Sequence, residues 1–213
     1  MIFLVALLGG CLGWLWWQVA DYAVQFAHQP PLTRPTASDN RALRYAIAIG
    51  SAHVMAYLWV SIDSTEQMVL AMGGYAFFLL IALIDFKYRL VPNALVYPAI
   101  VAVVVGHILF TPEFMAEVIL GGALTFSIFG LTAWLKPGDL GGGDIKLAFL
   151  IGLAFGFPQV LWALIMGVGV GAIAVLYLLV VAQRGLHSTI PYAPFLCLGA
   201  MVALLYNPLT NAI

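Results

Sequence analysis

The chain has 213 residues, of which 64% are hydrophobic and 8% are charged, and its formal net charge is -1. Together with a mean hydropathy of +1.06, this composition excludes an ordinary soluble domain and indicates an integral membrane protein. The nearly neutral charge argues against a nucleic-acid partner, which would normally require a basic face. Cys11 and Cys197 both lie in apolar runs, so neither a paired-cysteine metal site nor a disulfide framework is predicted.

The apolar N-terminus, Met1 to Leu8, resembles the core of a secretory signal peptide. No Lys or Arg precedes it, however, and the apolar stretch continues through Trp17, which is too long for a signal sequence. We therefore expect residues 1–24 to form a retained first transmembrane helix.

Apolar runs long enough to cross a bilayer, about 20 residues each, occur six times along the chain. They lie at 2–24, 43–62, 67–84, 94–110, 117–135 and 159–182. Two shorter runs, 145–157 and 194–210, bring the count to eight if both cross, and the first of them is expected to be tilted or partly sunken in the membrane. The sequence thus predicts an all-α, polytopic integral membrane helix bundle of about eight transmembrane helices, forming a single domain over 1–213.

The distribution of charge sets the orientation of this bundle. The segment 25–44 is polar and rich in turn residues, and we interpret it as a short cytoplasmic loop. Every Lys and Arg then lies on the cytoplasmic side, as the positive-inside rule requires: Arg34, Arg41, Arg44, Lys87, Arg89, Lys136, Lys146 and Arg184. The same path places Asp85 and Asp144 at the cytoplasmic boundary of the membrane.

The most distinctive stretch of the sequence is a glycine-rich turn that runs from Gly138 to Leu147 and leads into an apolar run. Its consecutive glycines, 141–143, permit close backbone approaches, and Asp144 is expected near the start of the first turn of a helix. Asp85 is the other acid that lies at the end of an apolar run with comparable polar neighbours. We interpret the two stretches as parts of one site.

An ionisable residue near membrane depth is costly, so it normally faces a cavity or a partner. If a water-accessible cavity brings the carboxyl groups of Asp85 and Asp144 together, like charges oppose simultaneous ionisation and one proton is shared. The neutral acid and the carboxylate can then act as general acid and general base on a water that attacks a peptide carbonyl. The helix N-terminus slightly favours Asp144 as the base, but the titration belongs to the pair, so the individual roles stay open.

Residues beside the aspartates have expected supporting roles. Gly141 and Gly143 would leave backbone exposed for an extended substrate, and Lys146 would orient the pair or meet lipid headgroups. Pro92 is expected to start the next helix, while Asn93 would cap it or bond within the turn.

The remaining acids are interpreted as topology or capping residues, with Asp139 as the strongest competitor of Asp144 because it lies in the same turn. They are Asp21, Asp63, Glu66, Glu113, Glu117 and Asp139. His53 and His107 lie in apolar runs without a partner at metal-ligand spacing, so we expect polar packing contacts and no metal site.

Three stretches resemble motifs of the type IV prepilin peptidases, the GxGD class of membrane aspartic proteases. The segment 141–147, Gly-Gly-Gly-Asp-Ile-Lys-Leu, is similar to the GxGDxKL motif. The segment 85–93 resembles the first-aspartate motif, an Asp followed by a basic loop and Ile/Val-Pro-Asn. The segment 190–196 resembles the closing Pro-x-x-Pro-Phe-Leu stretch. The resemblance covers roughly residues 70–205 and implies a catalytic helix bundle over 67–205.

The resemblance also implies a function. Asp85 and Asp144 would be the catalytic pair of an endopeptidase that uses no cofactor and cleaves the basic leader from prepilin or pseudopilin precursors at the inner membrane. The substrate-binding or supporting residues would be Gly141, Gly143, Lys146, Arg89, Pro92 and Asn93. Membrane lipid is the other expected partner, and the sequence leaves open whether the chain forms a homo-oligomer.

One part of the chain departs from the pattern of the resembled family. Many bacterial members carry paired CxxC motifs in a cytoplasmic insertion after the first helix and also N-methylate the new terminus. The corresponding Ala27–Arg44 loop contains no cysteine, so we expect a peptidase-only form.

Three alternatives are weighed against this interpretation. A proton-coupled transporter would use the two aspartates as a relay and the glycine turn as a broken helix, but it should have more polar residues deep in its helices. A catalytically inactive assembly protein of the same fold would not need both aspartates and the glycines. Another GxGD protease with a different substrate is the third alternative.

Overall fold

The computed structural model describes residues 1–26, 41–137, 140–180 and 192–208. Within these residues it contains eight α-helices, one short 3₁₀ turn at Pro112–Phe114 and no strand. The helices are α1 (Ile2–Phe26), α2 (Arg41–Ser61), α3 (Thr65–Tyr88), α4 (Asn93–Phe110), α5 (Met115–Leu135), α6 (Gly142–Phe155), α7 (Val160–Val180) and α8 (Ala193–Leu205). Helices α1 to α5 are long and apolar enough to cross a membrane, judged by length and composition. The polytopic all-α prediction is confirmed.

Among the described residues, each predicted apolar run corresponds to one helix. The predicted loop 25–44 is too long, because α1 extends to Phe26 and α2 already begins at Arg41, and α3 continues beyond Asp85 to Tyr88. The expected basic loop after Asp85 is therefore wrong in its first residues, which are helical. The helix ends at Arg89, which adopts the left-handed conformation (φ 50°, ψ 47°) while its N–H donates to the Asp85 carbonyl at 2.8 Å. Pro92 follows shortly after, and the residue before a proline disfavours the helical conformation, so the chain stays extended up to α4.

The chain divides into two compact units, Met1–Leu90 and Val91–Ile213. In the first unit, α1 packs against both α2 and α3. A Cβ atom added at Gly9 or at Gly13 would lie 2.7 Å from an oxygen of Ser51 on α2, so glycine is what lets these two helices approach closely. The buried Ser51 hydroxyl also accepts a hydrogen bond from the Tyr75 hydroxyl of α3 at 3.1 Å.

In the second unit, α6 packs against α4, α5 and α8. Helices α5 and α6 approach each other closely, because a Cβ atom at Gly152 would collide with the Gly121 carbonyl and the Thr125 hydroxyl. Thr125 is buried and donates back to the carbonyls of Gly121 and Gly122, so its hydroxyl group is satisfied within its own helix. Helix α6, which carries Asp144, is therefore held on three sides.

Helices α7 and α8 cross in the same way. A Cβ atom at Gly199 would collide with the Ala163 carbonyl, and one at Gly167 would lie 2.9 Å from the Phe195 carbonyl oxygen. Glycine therefore permits the close approach of the two helices at Gly167, whereas Gly169 has no neighbour within 4 Å of such a Cβ atom.

Candidate active site

Asp144 lies in the first turn of α6, as predicted. Gly141 precedes the helix in an extended conformation, and its carbonyl accepts the Asp144 N–H at 3.0 Å. The backbone amides of Gly141 and Ala193 both hydrogen bond to the half-buried Asp144 carboxylate. Because Ala193 is the first residue of α8, the carboxylate lies at the N-termini of two helices. Burial opposes its ionisation, while the two amides and the helix ends favour it.

The three glycines before Asp144 meet different surroundings. A Cβ atom at Gly143 would lie 2.8 Å from Val91 Cβ, and one at Gly141 would lie 3.2 Å from Asp144 Oδ2. One at Gly142 would have no neighbour within 4 Å. A side chain at the third position would therefore overlap Val91, one at the first would crowd the Asp144 carboxylate, and one at the second would meet open space, which parallels the GxGD motif.

Lys146 connects α6 to the first turn of α4. Its Nζ donates to Asn93 Oδ1 at 3.0 Å and lies 4.9 Å from the centroid of the Tyr97 ring. Pro92 lies at the start of α4, as predicted, because it directly precedes the first helical residue, Asn93, and its carbonyl accepts the Val96 N–H at 3.1 Å. The expected capping role of Asn93 is wrong. Asn93 does not cap the helix, since its side chain accepts the charged Lys146 donor, which forms a stronger hydrogen bond than a neutral one within the turn.

Asp85 lies in the last turn of α3 and is only 4% exposed. Arg89, one turn later, is exposed and ends the helix. Asp85 belongs to the first compact unit and Asp144 to the second. The convergence of the two carboxyl groups on one cavity stays a prediction.

A charged cluster that was not predicted from the sequence lies next to Asp85 along α3. Lys87 is completely buried, and its Nζ donates to the Trp17 carbonyl at 2.6 Å and to Asp21 Oδ1 at 2.8 Å. The Tyr88 hydroxyl donates to the same Asp21 oxygen at 2.6 Å. The interpretation of Asp21 as a topology residue was wrong. A usable signal existed, because Asp21 and Lys87 carry opposite charges at the same predicted membrane boundary.

Other predictions have simpler outcomes. Glu66, Glu113 and Glu117 lie in first helical turns, where acids are favoured. The Nδ1 atoms of His53 and His107 make polar contacts with neighbours on or next to their own helices. Among the described residues, no group of three or more potential ligand side chains is arranged to hold a metal ion.

Some of the predictions concern residues outside those that the structure describes. They are the loop 27–40 with Arg34, Asp139, Arg184 and the start of the closing stretch at 190–191.

Comparison with known proteins defines the class to which the chain belongs. The model of the type IV leader peptidase family matches residues 72–178, about half of the chain, and this region contains both aspartate stretches. The chain belongs to the type IV leader peptidase family. No solved structure matches it significantly.

Three curated relatives are each named prepilin leader peptidase/N-methyltransferase. The protein of Bacillus subtilis (strain 168) is 25% identical over 61% of this chain and 52% of its own length. The protein of Pseudomonas putida is 26% identical over 78% and 60%. That of Vibrio cholerae serotype O1 is 32% identical over 54% and 48%. The chain therefore spans about half to three fifths of the length of the relatives it matches.

Proposed function

We propose that this protein is a membrane aspartic endopeptidase that removes the short basic leader from type IV prepilin or pseudopilin precursors at the cytoplasmic boundary of the inner membrane. The observation that carries the proposal is that the region matched by the leader peptidase family contains both aspartate stretches intact. The position of Asp144 at two helix N-termini and the burial of Asp85 support it, because an ionisable residue near membrane depth normally faces a cavity or a partner.

Asp85 and Asp144 share one proton and hold the attacking water between them. The ionised carboxylate takes a proton from the water, and the protonated partner donates to the carbonyl oxygen or to the leaving amine. The backbone at Gly141 and Gly143 lies beside an extended substrate. Lys146 and Asn93 join the first turns of α6 and α4 through their hydrogen bond, and Arg89 ends the helix that carries Asp85.

The test of this function is cleavage of a synthetic or recombinant precursor that carries a basic leader, a glycine at the junction and a hydrophobic helix. The purified protein in lipid vesicles should release the leader, and mass spectrometry of the new N-terminus should place the cut after the glycine. An intact precursor under conditions in which the Pseudomonas putida relative cleaves it would contradict the proposal.

The chemistry should require neither added metal nor a methyl donor. We expect cleavage to be unchanged by chelators, because two carboxyl groups suffice to activate the water. We also expect no methyl group to be transferred from S-adenosylmethionine, because residues 27–44 contain no cysteine. Product mass measures both effects, with a relative named prepilin leader peptidase/N-methyltransferase as the positive control. A methylated product, or loss of cleavage with chelator, would contradict this prediction.

The glycine pattern gives a matched pair of variants. Gly143→Ala should lower the cleavage rate about 100-fold, because the new methyl group overlaps Val91 and displaces the start of α6, and a shift of about 1 Å can have that effect. Gly142→Ala meets nothing within 4 Å and should cleave at nearly the wild-type rate. Equal rates for the two variants would show that the contact with Val91 does not matter for catalysis.

A further inference from the structure

Asp21 has no role in the proposed reaction, yet it is the acceptor for two consecutive side chains of α3. Lys87 and Tyr88 both donate to Asp21 Oδ1, at 2.8 and 2.6 Å. The exposed fractions of the Lys87 and Asp21 side chains are 0% and 49%. A surface ion pair usually contributes little to stability. Here the Lys87 side chain is fully buried, so its charged form needs stabilising contacts from the groups around it.

The ammonium group of Lys87 is surrounded by acceptors. It has three N–H donors, and three acceptors are close: the Trp17 carbonyl at 2.6 Å, Asp21 Oδ1 and the face of the Trp17 ring, whose centroid is 4.1 Å away. Arg44 of α2 also approaches the Trp17 ring, at 6.0 Å. Lys87 is therefore fixed to α1 through both the backbone and a side chain of that helix.

This attachment is at the turn of α3 that carries Asp85. Each residue of an α-helix rotates the side-chain direction by about 100°, so residues two apart differ by about 200°. Residues three apart differ by about 300°, which is only about 60° in the other direction. Lys87 thus extends from nearly the opposite side of the helix to Asp85, and Tyr88 extends from a side that flanks it. Holding both side chains at one carboxylate on α1 fixes the rotation of the last turn of α3, and so fixes the direction in which Asp85 points.

We propose that Asp21 is a positioning residue that orients Asp85 by holding Lys87 and Tyr88 against α1. This inference rests on the proposed function, because it assigns Asp85 to catalysis. It goes beyond that function by giving a role to an acid that takes no part in proton transfer. Its effect is on kcat more than on KM, since a rotated Asp85 leaves substrate binding intact and moves the reacting group.

The experiment compares wild type with Asp21→Ala, Asp21→Asn, Asp21→Glu and the matched control Asp63→Ala. Asp63 is an exposed acid between α2 and α3, in the same compact unit. Two quantities are measured for each protein: kcat and KM for precursor cleavage, and the rate at which an acylating reagent modifies Lys87, relative to the exposed Lys136, by mass spectrometry. The second measurement reports the attachment of Lys87 without depending on activity.

Asp21→Ala should lower kcat about 30- to 100-fold with KM changed less than about threefold, and Lys87 should be acylated at least about tenfold faster. Asp21→Glu keeps the carboxylate at a half-exposed position with room for one more methylene group, so it should recover most of both properties. Asp21→Asn keeps an acceptor without the charge and should be intermediate. Asp63→Ala should match wild type in both measurements.

Each contrary result has a distinct meaning. Faster acylation of Lys87 with unchanged kcat would show that the cluster is structural only, and unchanged acylation would show that Asp21 does not hold Lys87; either overturns the inference. If Asp21→Ala does not fold, the kcat values of Asp21→Asn and Asp21→Glu test the positioning role instead. Equal kcat values for wild type and both variants would overturn the inference. An inactive wild-type protein would instead refute the proposed function, and the positioning role would fall with it.

Discussion

Asp85→Asn and Asp144→Asn should each reduce cleavage of a prepilin substrate by about 1,000-fold or more, because an amide has nearly the shape of a carboxyl group but can neither accept nor donate the catalytic proton. Both variants should remain folded. At position 144 the amide oxygen can still accept the backbone N–H groups of Gly141 and Ala193. Initial rates of leader release measure the loss, and thermal unfolding in detergent measures whether the fold is intact.

The matched control is Asp139→Asn, five residues before Asp144 in the same glycine-rich turn. It should cleave at nearly the wild-type rate. An inactive Asp139→Asn variant together with an active Asp144→Asn variant would show that the wrong aspartate of this turn has been assigned to catalysis. Activity in both the Asp85 and the Asp144 variants would rule out the acid–base mechanism altogether.

Gly152→Val should strongly destabilise the second compact unit. Its side chain would have to occupy the space already filled by the Gly121 carbonyl and the Thr125 hydroxyl, where α5 and α6 are in backbone contact. Overpacking of this kind costs about 1–3 kcal/mol and sometimes more, and here the obstacles are the Gly121 backbone and a Thr125 hydroxyl that is hydrogen bonded to its own helix. We expect a loss of about 3 kcal/mol in the free energy of unfolding, with loss of activity because α6 carries Asp144.

Gly130→Val on α5 is the matched control, because a Cβ atom at Gly130 has no neighbour within 4 Å. The two variants add the same side chain to glycines of adjacent helices and differ in what that side chain meets. Thermal unfolding and resistance to proteolysis in detergent should separate them clearly. Similar unfolding midpoints for the two variants would show that the close approach of α5 and α6 does not stabilise the fold.

The helices themselves could be predicted from the sequence, because a membrane-spanning segment is recognisable from its own apolar length. The end of α3 could not, since it depends on Arg89 adopting a left-handed conformation that is uncommon for a residue other than glycine. Hydropathy also cannot show which helices pack against each other. It indicates whether a segment prefers lipid or water, and it contains no information about the neighbouring helix. A glycine such as Gly121 in an apolar helix favours close packing, but it does not reveal that the partner is Gly152.

In the candidate site, too, local features could be predicted from the sequence and contacts between distant residues could not. Asp144 could be assigned to the first turn of a helix because the glycines before it and the apolar run after it are local signals. The partners of Lys87 could not be found locally, because Asp21 is 66 residues away. An ion pair between helices depends on how the helices are rotated about their axes, and a sequence with little amphipathic pattern does not reveal that rotation.

The hydrogen bond from Ala193 to Asp144 has a consequence for how such proteins diverge. Its donor is a main-chain N–H, which nineteen of the twenty amino acids supply equally, so only proline would delete it. Most substitutions of Ala193 would therefore leave the Asp144 carboxylate with its backbone donor. The residue type at position 193 does not indicate that this hydrogen bond exists. The match to the family ends at residue 178, before α8 begins. A hydrogen-bond donor such as the Ala193 N–H, which depends only on backbone geometry, cannot be recognised by comparing residue types in a sequence alignment.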